Sequence, residues 1–121
     1  MFIILSHQKL DVYKVSKQLV YEIYQFSRLF PSDERFGIVS QIKRAALSVH
    51  LNIAEGFSRR SAVERSRFHE IARGSLIEID AALDLAHQLN YFQASHAENI
   101  GKLMKRCFSM LNVLIAYNRY K

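Results

Sequence analysis

A single proline, Pro31, and four glycines are all that interrupt 121 residues whose apolar side chains recur every third or fourth position almost throughout. That step places side chains on one face of a helix, and four such stripes can be read. Val12, Val15, Leu19, Ile23, Phe26 and Phe30 form the first; Val39, Ile42, Ala46, Val49 and Ile53 the second. Phe68, Ile71, Ala72, Ile79, Ala82, Leu83, Ala86 and Leu89 form the third; Ile100, Leu103, Met104, Cys107, Leu111, Leu114 and Ile115 the fourth. The breaks between stripes are only a few residues long, which favours antiparallel neighbours. The pattern predicts one all-α domain over residues 1–121, an antiparallel up-down-up-down four-helix bundle.

The punctuation agrees. Ser32 is the expected cap of the second helix, with Asp33 and Glu34 on its positive end. Gly56 stands where a left-handed stop is expected, with Phe57 folded over the last turn. Ser61-Ala62-Val63-Glu64 and Ser95-His96-Ala97-Glu98 both have the form of a capping box.

Half of the residues are apolar, with eight Phe and six Tyr, so a core of ordinary size is within reach and a disordered chain is excluded. The lone Cys107 cannot close an internal disulfide, and no signal peptide is visible, so the expected setting is the reducing cytoplasm. The apolar residues 2–5 are too few for a signal core or a membrane span.

Net charge is +6, and its distribution matters more than its total. Residues 43–73 carry seven basic and three acidic side chains, residues 74–98 four acidic and no basic, and residues 99–121 five basic and no acidic. Two positive blocks flank a negative one, an arrangement suited to an anionic partner or to complementary packing between subunits. The basic candidates are Arg59 and Arg60 between the second and third helices, Arg65, Arg67 and Arg73 on the third, and Lys102, Lys105 and Arg106 on the fourth. Guanidinium forks fit phosphate oxygens in pairs, so the set is a candidate for salt-dependent binding of nucleic acid, RNA above all. The competing reading is a solvated or subunit-facing surface, partly neutralised by Glu64, Glu70 and Glu98. No motif that would read a base sequence is visible.

Constellations for catalysis are missing. His69-Glu70 begins like a zinc-protease helix, but the residue four after His69 is Arg73. Asp84 and His87 have the spacing used in di-metal bundles, yet no second pair accompanies them. Cys107 lies within an apolar stripe, as a small buried hydrophobe would. The expectation is no enzyme, no metal and no cofactor.

A second polar feature runs along the segment QIKRAALSVHLNIAEG. At about 100° per residue, Gln41, Arg44, Ser48, Asn52 and Glu55 fall within roughly 80° of one another, and buried charge there would need partners. The favoured reading is an internal network in which Arg44 pairs with Glu55 or with Glu78 of the third helix; an oligomer interface or a ligand site is the other. Leu47, Leu51, Phe57, Tyr13, Tyr24, Tyr91, Phe92, Phe108 and Tyr117 lie outside or at the margins of the four stripes. Such a surplus suits self-association through a helix face.

Several segments together resemble the small four-helix-bundle proteins encoded in intervening sequences of bacterial 23S ribosomal RNA genes. They are LDVYK from Leu10, Phe30-Pro31 with ERFG from Glu34, QIKRAA from Gln41, Ser48-Val49 with NIAEG from Asn52, and IARGSL from Ile71 leading to Glu78. His50 stands where many relatives have proline. The resemblance implies a homo-oligomeric ring, commonly a pentamer, and a similarity to the basic accessory variability proteins of diversity-generating retroelements, which bind nucleic acid and a reverse transcriptase. It implies no catalytic residue. Joined to the residues, it gives a cytoplasmic, non-enzymatic homo-oligomer that binds RNA or DNA backbone. The alternative is an interaction scaffold whose basic face docks an acidic protein.

Overall fold

In a computed structural model describing residues 2–119, the chain forms four helices: α1 Asp11–Phe26, α2 Ile38–Phe57, α3 Ala62–Gln88 and α4 Glu98–Arg119. Short 3-10 turns precede α1 (Ser6–Lys9), follow it (Ser27–Leu29), lead into α2 (Ser32–Glu34) and lead into α4 (Ala94–Ala97). Cross-helix contacts fix an antiparallel order. Ser16 meets His50 and Lys43 lies over Tyr24 between α1 and α2. Ser48 meets Ser75 between α2 and α3, and Arg73 meets Asn112 between α3 and α4. α1 also packs on α4, closing a square up-down-up-down bundle.

The first two stripes are buried throughout, and the fourth is buried or half-buried. The third departs from expectation. Ile71 and Leu89 are exposed, while His69, Ser75 and Leu76 are buried. Over the 27 residues of α3 the buried positions keep a strict three-and-four step through His69, Ala72, Leu76, Ile79, Leu83 and Ala86, and Ile71 and Leu89 fall beside that line.

Three boundary expectations need correction. Ser32 caps no α-helix; it opens a 3-10 turn, and α2 starts after Gly37. Ser95 makes no side-chain cap, because its turn is a 3-10 helix running directly into Glu98. Gly56 has no left-handed backbone and lies inside α2. Ser61 does cap α3, accepting from the Glu64 amide at 3.1 Å. A left-handed residue does end α3. Asn90 has φ 61°, the Tyr91 amide donates to the Ala86 carbonyl and the Asn90 amide to that of His87, a Schellman stop.

Aromatic rings close the bundle at the α3–α4 turn. Phe26, Phe30 and Phe92 stack or meet edge to face at 4.8–6.0 Å. The Tyr91 hydroxyl donates to Glu34 Oε2 at 2.6 Å, tying this turn to the α1–α2 connection. Residues 2–5 stand outside the bundle with large apolar side chains exposed. No helix among the described residues is long and apolar enough to cross a membrane.

Candidate nucleic-acid interface

The connection between α2 and α3 is held by its own arginines. Ser58 Oγ donates to the Glu55 carbonyl at 2.6 Å. Arg59 donates to Glu55 Oε1 at 2.7 Å, one turn back, and its guanidinium lies 4.7 Å from the Phe68 ring centroid. Arg65 reaches back from α3, its Nη1 donating to the carbonyls of Arg59 (3.1 Å) and Arg60 (2.7 Å). Two of the predicted phosphate ligands are thus engaged in shaping the loop.

The other two are free. The side chains of Arg60 and Arg67 are exposed and make no hydrogen bond or ion pair within the described chain. Arg67 borders a shallow cleft of about 360 Å³ with Val63, Ser66, Glu70, Asn118 and Arg119. Arg73, one turn and a half further along, donates to Asn112 Oδ1 at 2.8 Å and so joins α3 to α4.

Lys102, Lys105 and Arg106 are not part of this cluster. All three are exposed on α4, and the Arg73–Asn112 contact places residue 105 beside residue 80 of α3. At 1.5 Å per residue, that is about 22 Å along the bundle from Arg65. Arg106 also lies in the groove between α1 and α4, with Asp11, Lys14 and Gln18. Lys102, Lys105 and Arg106 therefore stand apart from the loop arginines, with Arg73 between the two groups.

The polar stripe on α2 contracts to a smaller network than expected. Ser48 Oγ and Ser75 Oγ are 2.8 Å apart, and Asn52 Nδ2 donates to the Ser48 carbonyl (2.9 Å) and hydroxyl (3.0 Å). Arg44 pairs with neither Glu55 nor Glu78; it donates to Gln41 Oε1. Arg44 and Glu55 lie about 16 Å apart along the helix, beyond side-chain reach, and Glu55 takes Arg59 instead. Gln41, Arg44, Glu55 and Glu78 are all exposed, so water solvates the charges that the pattern suggested were buried. Glu78 has no partner within the described chain.

Two histidines carry structural weight that the sequence reading missed. His69 is fully buried, with neither ring nitrogen hydrogen-bonded, and packs against Phe57 at 4.8 Å between centroids. Burial lowers its pKa below 6.5, an effect opposed by the nearby Ile53 carbonyl and supported by Arg65. His50 Nδ1 lies 2.8 Å from Ser16 Oγ, whose hydroxyl also donates to the Tyr13 carbonyl at 3.0 Å. Its pKa is lowered by burial first, then by Lys17 and His7. Ser16 is fully buried, so this pair offers no nucleophile to a substrate. The three-and-four step through Ala72 and Leu76 was the signal that could have placed His69 in the core.

Burial pushes the Cys107 thiol up to about 12, which leaves it unreactive. No group of three or more His, Cys, Asp and Glu side chains that could hold a metal ion occurs among the described residues.

No curated protein matches the chain. A crystal structure of a protein with unknown function from the S23 ribosomal protein family of Bacteroides thetaiotaomicron VPI-5482 superposes with a TM-score of 0.79 at 21% identity. The match covers 86% of this chain and 97% of that one, and it shows a shared fold. Residues 8–113 match the family described as 23S rRNA-intervening sequence protein. With the ordered motifs and the four-helix bundle, that match over most of the chain means that this protein belongs to the 23S rRNA-intervening sequence protein family.

Proposed function

We propose that this is a non-enzymatic protein that assembles with copies of itself, into a five-membered ring as the family resemblance implies. It holds the phosphate backbone of nucleic acid, RNA above all, without reading its sequence. The observation that carries the proposal is the pair Arg60 and Arg67, two exposed guanidinium groups without a partner in the chain. Arg60 sits in, and Arg67 beyond, a loop that Arg59 and Arg65 hold in one shape. A preorganised loop loses little entropy on binding, and free guanidinium forks suit paired phosphate oxygens. Lys102 and Lys105 supply a second, weaker point of contact.

The test is a fluorescence-anisotropy titration with a short structured RNA at several salt concentrations, with light scattering to give the particle mass. The unaltered protein binds at low salt and releases the RNA at high salt. Arg60→Gln with Arg67→Gln weakens binding about tenfold at low salt and lowers the slope of log K against log salt by about 1.4 to 1.8 for each copy engaged. Helical content stays the same, because the loop-shaping arginines are untouched. Unchanged RNA affinity in that variant removes this face from the proposal. An acidic polypeptide that binds where RNA does not would establish the scaffold reading instead.

A further inference from the structure

Two opposite faces of the bundle carry apolar side chains that the chain leaves uncovered. On the α2–α3 face, Leu51 and Ile71 are 54% and 45% exposed. Between them lies the low floor of Ser48, Asn52 and Ser75. Beside them stands Glu78, exposed and without a partner in the described chain. On the far side, the groove between α1 and α4 has two halves. Leu10, Val12, Phe57, Met110, Val113 and Leu114 line an almost wholly apolar hollow of about 360 Å³. Further along the same groove, Lys14 and Arg106 stand with Asp11, and neither cation makes an ion pair in the described chain.

The two faces match in order along the bundle as well as in character. Ser48 beside Ser75, and Arg73 beside Asn112, set a common scale of height. At 1.5 Å per residue, Leu51 lies about 4.5 Å from the Ser48–Ser75 level and Val113 about 4.5 Å from it in the same direction. Glu78 lies about 7.5 Å above Arg73, and Arg106 about 9 Å above Asn112, again on one side. A copy moved sideways and turned only about an axis parallel to the helices keeps these levels, and so brings Leu51 to the apolar hollow and a carboxylate to a guanidinium at once. A closed ring needs two different patches on each subunit, since a patch that pairs with itself stops at a dimer.

We infer that the α2–α3 face of one copy docks into the α1–α4 groove of the next, Leu51 against the apolar hollow and Glu78 against Arg106. This rests on the self-assembling reading above and gives it a surface. Specific interfaces bury an apolar centre inside a charged rim, and complementary charge sets partner and register.

The experiment is a charge swap read by light scattering, with circular dichroism as the check on folding. Glu78→Arg alone and Arg106→Glu alone each weaken association at least about tenfold, and the two together in one chain restore the mass of the unaltered particle. Leu51→Glu gives monomers. All four variants keep their helical content, since every altered side chain is exposed. If the unaltered protein is monomeric, the self-assembling reading fails and the interface with it. If it assembles but both single reversals leave the mass unchanged, or the swap fails to restore it, assembly stands and this interface is overturned.

Discussion

A methyl group on Gly56 would fall 2.6 Å from His69 Nε2 and 3.2 Å from the Phe68 Cβ. Backbone of α2 therefore runs against the buried imidazole of α3, and glycine is required there for close approach. Gly56→Ala should destabilise the fold by about 1–3 kcal/mol, visible as a lower midpoint in urea unfolding with an unchanged slope. The imidazole adds a pH dependence. His69 and His50 are both held below their ordinary 6.5, mainly by burial, so the folded chain keeps them neutral where the unfolded chain takes up protons. Stability is full above about pH 6.5 and falls as pH drops below it towards the folded-state values. The urea midpoint should be lower at about pH 5.5 than at about pH 7.5, and the difference should shrink in a His50→Asn chain.

At the level of whole helices, two similar tetrapeptides behave differently. Ser61 caps α3, whereas Ser95 belongs to a 3-10 turn and caps nothing. Ser61→Ala should therefore cost about 1 kcal/mol, and Ser95→Ala should leave the unfolding midpoint where it is. Sequence spacing alone could not separate them. A capping box is a local pattern, and the way each turn is drawn into its helix depends on packing that the pattern does not contain. The helices and most of their buried faces were legible because apolar period is set by burial. The arginine loop was legible as a cluster but not as a division of labour. Nothing local in the sequence says that Arg65 reaches back to two carbonyls while Arg67 stays free. The expected Arg44–Glu55 ion pair does not form because a shared helical face is not proximity: eleven residues of rise intervene.

For the molecule as a whole, the two ends of the bundle are unlike. At the α1–α2 connection, Arg28 and Arg35 are offset by Asp33 and Glu34, beside the aromatic closure. At the α2–α3 loop the free Arg60 and Arg67 are joined by Arg119, which reaches Glu70 only at 3.6 Å. The surplus positive charge of the chain is thus gathered towards one pole. The partner faces proposed for assembly run along the sides of the bundle, so side-by-side copies keep that pole on a common rim. A polyanion would land on the rim rather than wind around the girth, and linked weak contacts would act as one strong one. The stretch of RNA shielded from nuclease should then follow the circumference of the particle. Lengthening the helices by one turn would leave that footprint unchanged, whereas adding a subunit would extend it.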